Sequence, residues 1–81
     1  MPVVLRYKGY RFFFFSNEGD PREPLHVHVR RGEATAKFRL APVVGLAESY
    51  AMSSAELREL LQIVAANQEL IERCWHEHFG E

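Results

Sequence analysis

The stretch Leu25-His26-Val27-His28-Val29-Arg30-Arg31-Gly32-Glu33-Ala34-Thr35-Ala36-Lys37-Phe38-Arg39-Leu40 decides the fold. Apolar and polar residues alternate with period two on both sides of Gly32-Glu33, the pattern of two half-buried β-strands joined by a tight turn. Glycine in the first turn position suits a type II′ hairpin. That register sets Leu25 against Leu40, Val27 against Phe38 and Val29 against Ala36 on one face. The reverse face pairs His26 with Arg39, His28 with Lys37 and Arg30 with Thr35. Alternation kept on both strands at once defines a ribbon with a core side and a polar side.

Upstream, Val3 to Tyr7 and Tyr10 to Phe15 are β-branched and aromatic runs around Lys8-Gly9, a second two-residue hairpin. Val3, Leu5, Tyr7, Tyr10, Phe12 and Phe14 are expected on the core face, with Val4, Arg6, Arg11, Phe13 and Phe15 on the other. Ser16 to Pro24 is rich in turn-formers and reads as a surface loop. Between Pro42 and Ala51, Val43-Val44 and Tyr50 suit a short edge strand, although Gly45 and Ala47 weaken it. Ser53-Ser54-Ala55-Glu56 fits a capping box, and Met52 with Leu57 a hydrophobic staple. Leu57, Leu60, Leu61, Val64, Gln68, Ile71, Trp75 and Phe79 then recur at helical spacing without a phase jump at Asn67, which predicts one long helix to about His78, stopped by Gly80. The expected fold class is α+β: an antiparallel sheet of four strands, five with the edge strand, carries one long C-terminal helix on one face.

The chain has 81 residues, 47% hydrophobic and 26% charged, which suits a single domain over 1–81, with the sheet over 3–50 and the helix over 53–78. At this size the buried fraction of surface is modest, so self-association into a homodimer would help stability, with Trp75 and Phe79 as core anchors or part of a dimer seam. One cysteine, Cys74, excludes an internal disulfide and a cysteine-based zinc cluster; it reads as a small buried hydrophobe. A signal peptide's apolar region and a membrane-spanning run are both missing from the sequence, so a cytoplasmic setting is expected. The net charge of −1 hides a polarity. Residues 1–52 hold eight Lys/Arg against five acids, and residues 53–81 two against six.

With the helix on the apolar side, the other sheet face gathers Arg6, Arg11, Arg30, Lys37, Arg39, His26, His28, Phe13 and Phe15. Cations suit phosphates and exposed rings suit unpaired bases, so RNA or DNA is a candidate ligand and an acidic protein partner another. A solvated or partner-covered face accounts for the same residues. His26 and His28 could also serve as general base and acid in a metal-independent endoribonuclease, with Lys37 or Arg39 steadying the negative charge of the transition state. A divalent metal on the two histidines, with Glu18 or Asp20 as third ligand, is a further alternative, opposed by the neighbouring Lys37 and Arg39. Neither a metal site nor a cofactor is assigned. His76 and His78 lie two apart on a helix, hence on different sides, and suit the negative helix end.

The run Arg11-Phe12-Phe13-Phe14-Phe15-Ser16-Asn17-Glu18, then Pro24-Leu25-His26-Val27-His28-Val29, Ala36-Lys37-Phe38, and Glu56-Leu57-Arg58 with Trp75 and Phe79 resembles the small bacterial proteins grouped as domain of unknown function 4160. The resemblance covers almost the whole chain, and the His-Val-His-Val element after proline is its most specific part. It departs at Leu25, where a second proline is expected. The resemblance implies no established reaction. It implies a short cytoplasmic protein encoded beside another small protein (domain of unknown function 2442), in a toxin–antitoxin-like pair whose second member would be a partner. His26 and His28 carry over by motif, with Lys37 as a basic neighbour.

Overall fold

The computed structural model describes residues 3–15 and 24–80. Five strands, β1 (Val3–Tyr7), β2 (Tyr10–Phe13), β3 (His26–Arg31), β4 (Ala34–Arg39) and β5 (Gly45–Tyr50), precede two helices, α1 (Ser54–Ala66) and α2 (Gln68–Phe79). The strands form one antiparallel sheet in sequence order. Each hairpin turn follows from its residues. Lys8 and Gly9 both adopt positive φ, 48° and 84°, as a type I′ turn requires, and Gly32 alone does so in the second turn, at 61°, as type II′ requires.

The β3–β4 register matches the sequence reading pair for pair, from His26↔Arg39 to Arg30↔Thr35, and the Leu40 amide continues it by donating to the Leu25 carbonyl. Tyr10, Phe12, Phe14, Val27, Val29, Ala36, Phe38 and Leu40 form the sheet side of the core, and Leu60, Val64, Ile71 and Trp75 the helix side. Burying aliphatic and aromatic side chains of this size supplies the driving force, on the order of 1.5–3 kcal/mol for each one fully removed from water.

Two expectations need correction. Val3 does not join the core: Leu5 pairs with Phe12 but Val3 pairs with Phe13, so an extra residue at Val4 turns Val3 to the other face, where it is exposed. The expected edge strand is present, over Gly45–Tyr50. The helix is two helices. At Asn67 the backbone leaves helical geometry, with φ −114° and ψ 22°, and the Asn67 carboxamide donates to the Ile63 carbonyl at 2.8 Å. A short amide side chain that bonds the preceding turn offers the backbone an alternative to continuing. The interruption keeps the apolar phase, since Leu60, Val64, Ile71 and Trp75 are all buried.

The start of α1 is tied to the first hairpin. Ser53 and Glu56 form the expected capping box. Glu56 also accepts from the Tyr10 hydroxyl at 2.6 Å and from Arg31 at 3.4 Å, and the Arg31 guanidinium lies 4.3 Å from the Tyr10 ring centroid. One turn on, Glu59 accepts from the Tyr7 hydroxyl and from Lys8, the latter at 3.0 Å. The Ser53 backbone amide, then the Tyr10 hydroxyl, hold the Glu56 carboxyl below its ordinary value. The Tyr7 hydroxyl, then Lys8, do the same for Glu59.

Candidate functional site

Because the strands pair in direct register, the face turned away from the helices is laid out in rows that run across the sheet. One row is Arg6, Arg11, Arg30, Thr35 and Tyr50, a single residue from each strand in order. The next is Val3, Phe13, His28, Lys37 and Glu48. A third holds His26, Arg39 and Gly45. Strand parity therefore brings together Arg6, Arg11, Arg30, Lys37, Arg39 and His28 on this outer face, as the sequence implies, whereas the ring of His26, which shares their register, is buried beside Trp75 of α2 instead of projecting with them.

The face is not uniform. β5 adds Glu48 opposite Lys37, an acid that the sequence reading does not place there. The extra residue at Ala47 reverses the parity of β5, since Lys37 pairs with Glu48 while Phe38 pairs with Leu46. Without that bulge Glu48 and Tyr50 would face the helices. Among the described residues the positive charge is consequently undiluted only over β1 to β3. Among the described residues no carboxylate pairs with Arg6, Arg11 or Arg30.

The rings are arranged differently from the expectation of two exposed platforms. Phe13 is only 4% exposed; the His28 ring stacks on it at 5.6 Å, and Phe15 meets it edge-on at 5.3 Å. Phe15, 36% exposed, also contacts His28 at 4.5 Å. The outer surface of this cluster is thus Phe15 and the half-buried His28, with Phe13 as its floor.

The two imidazoles are adjacent, with ring centroids 5.1 Å apart, but their surroundings differ. His26 is 2% exposed. It sits at the start of β3, where the Trp75 ring of α2 comes within 5.3 Å, and its Nδ1 lies 2.7 Å from the Pro24 carbonyl oxygen. A ring nitrogen facing a carbonyl at that distance donates its proton, which fixes the orientation of the imidazole. Proton transfer by both histidines would need both rings at the substrate, and the burial of His26 works against this.

Arg39 is oriented by two features of its surroundings. Its Nε donates to the Val43 carbonyl at 3.2 Å, and its guanidinium lies over Gly45, where a Cβ would come 2.5 Å from Nη2. Two shallow hollows flank Lys37: one of about 170 Å³ is lined by Pro24, Leu25, His26, Lys37, Arg39 and Ala47, the other of about 140 Å³ by His28, Thr35, Glu48, Ser49 and Tyr50 among others. Larger hollows lie along α2, one of them lined by His76 and neither by His26 or His28. No group of three metal-ligating side chains occurs among the described residues; Glu18 and Asp20 lie outside them. Cys74 is a free thiol, partly buried against the core. No described helix is long and apolar enough to cross a membrane.

Comparison with known families turns on the same residues. A family model, Domain of unknown function (DUF4160), matches residues 9–76, from the first hairpin turn to His76. The chain belongs to this family. The match takes in the His-Val-His-Val strand, the arginines of β2 and β3, and most of the helical segment, so the DUF4160 domain supplies nearly all of the outer face except β1. Neither the curated proteins nor the solved structures yield a match. The DUF4160 description assigns no activity, and function has to be argued from geometry.

Proposed function

We propose that the outer sheet face of this DUF4160 protein is a docking surface for nucleic acid, and that the protein is the binding component of a toxin–antitoxin-like two-gene module. The observation that carries the reading is the segregation of charge. Arg6, Arg11, Arg30, Lys37 and Arg39 project from one face, and Glu48 is the one acid among the described residues in those three rows. A cluster of cations that so outnumbers its acids attracts phosphates, whose neutralisation supplies most of the affinity of such surfaces. Binding is favoured over hydrolysis because His26 is enclosed between Trp75 and His28. An acidic protein, such as the product of the neighbouring gene, is the competing ligand.

Fluorescence anisotropy with labelled oligonucleotides tests the reading. Binding is expected to weaken steeply with added salt, and to be abolished by the charge-reversal variant Arg11→Glu/Lys37→Glu/Arg39→Glu. No affinity for any oligonucleotide, or an affinity unchanged by charge reversal, would overturn the reading in favour of the protein partner.

A further inference from the structure

We propose that the ligand is a single strand of nucleic acid that crosses the β-strands along the row Arg6, Arg11, Arg30, Thr35, Tyr50, with its phosphates on the three arginines and a base stacked on Tyr50. This rests on the nucleic-acid reading above and assigns the path, the strandedness and the role of each residue.

The direction follows from the sheet. Within a strand, successive side chains alternate faces, so β3 offers Arg30 outward while Arg31 turns to Glu56 and the helix. Continuous positive charge therefore runs across the strands. Four consecutive register pairs, Arg6↔Arg11, Arg11↔Arg30, Arg30↔Thr35 and Thr35↔Tyr50, make the row unbroken from edge to edge. With strands about 4.8 Å apart, the arginines span roughly 10 Å and the whole row roughly 19 Å, enough for a few nucleotides of one backbone.

The composition of the row changes along its length in the order such a ligand needs. Three guanidinium groups give way to the Thr35 hydroxyl, a neutral hydrogen-bonding group, and then to Tyr50, which at 67% exposure is the most open large hydrophobic side chain among the described residues. An exposed ring at the end of a cationic row is a stacking platform, and stacking needs an unpaired base. A duplex keeps its bases stacked inside and cannot use Tyr50. His28 of the adjacent row, with the Phe15 ring against it at 4.5 Å, adds a second platform.

The test measures affinity for RNA and DNA oligomers of one sequence, single-stranded and duplex, over a range of salt. Single strands are expected to bind more tightly than duplex, and a difference between the RNA and DNA arms identifies the sugar. Arg6→Gln/Arg11→Gln/Arg30→Gln should make the slope of log affinity against log salt shallower by about 2, since each single-strand phosphate contact contributes about 0.7. Tyr50→Ala should leave the slope unchanged and weaken binding roughly 5- to 100-fold, with Tyr50→Trp restoring it. All four residues project from the outer face, away from the core, and thermal melting verifies that the variants fold. Salt-dependent binding in which duplex is preferred, or which responds to Lys37→Gln/Arg39→Gln but not to the row, overturns this inference while leaving the nucleic-acid reading intact. No measurable affinity of the unaltered protein for any of the oligomers overturns both.

Discussion

The His26 ring is held from several sides, by the Pro24 carbonyl at Nδ1, by Trp75 and by His28. Its neighbour two residues on lies half-buried on the face the ligand would meet. Removing the two rings should therefore have different consequences. His26→Ala empties a packed site beside Trp75 and should destabilise the protein by about 2–3 kcal/mol, whereas His28→Ala should cost less than about 1 kcal/mol and act mainly on ligand affinity. Urea unfolding of the two variants decides this, and the reverse order would refute the assignment. The adjacency of the rings is legible in the alternation of residues 25–31, because strand parity is a local property. The burial of His26 is not legible there, since the ring that covers it comes from the far end of the chain. Phe13 departs from expectation for a related reason: parity gives the face, but the packing of Phe15 and His28 over the ring decides its exposure.

Among the elements, the contact between the first hairpin and α1 rests on carboxylates and therefore depends on pH. Glu56 and Glu59 are held below the ordinary carboxylate value, so the stability they contribute is present above about pH 4.3–4.5 and is lost as pH falls through their folded-state values. Lys8 is raised by its bond to Glu59, and Tyr10 by its bond to Glu56 and then by burial. Their contribution is present below their ordinary values and is lost as pH rises through the raised ones. Stability should thus form a plateau between about pH 5 and 9. Glu56→Gln/Glu59→Gln, in which the carboxamide oxygen introduced at position 56 can still accept from the Ser53 amide, should be less stable at pH 7 and show a shallower loss of stability between about pH 5 and 3. An unchanged acid limb would show that these carboxylates do not tie hairpin to helix. The capping box itself is readable as Ser53-Ser54-Ala55-Glu56. The second role of Glu56 needs the Lys8-Gly9 turn to deliver Tyr10, a tertiary coincidence with no local signature. The break at Asn67 escapes the periodicity for the opposite reason: one residue leaves helical geometry while the apolar phase on either side is preserved.

For the molecule as a whole, the outer face sets folding against binding. Like charges placed directly opposite each other across neighbouring strands are destabilising, by roughly 0.2–1 kcal/mol for a pair, and Arg11 has an arginine opposite it on both sides, Arg6 on β1 and Arg30 on β3. A sheet selected for stability alone would alternate charge along that row. Departures from local rules of this kind mark functional surfaces, and a polyanion lying on the row would offset the repulsion by supplying the missing negative charge. Arg11→Gln should accordingly raise the melting temperature of the free protein by roughly 2–6 °C, given about 4–8 °C per kcal/mol for a domain of this size. The same variant should bind single-stranded nucleic acid less tightly and gain less stabilisation from it, because ligand-linked stability grows with the ratio of ligand concentration to Kd. The order of the two melting temperatures should therefore invert on adding oligonucleotide: Arg11→Gln is the more stable protein alone and the less stable one in the presence of saturating single strand. If Arg11→Gln melts lower in both conditions, the arginine row is part of the scaffold and the outer face owes its charge to something other than a phosphate backbone.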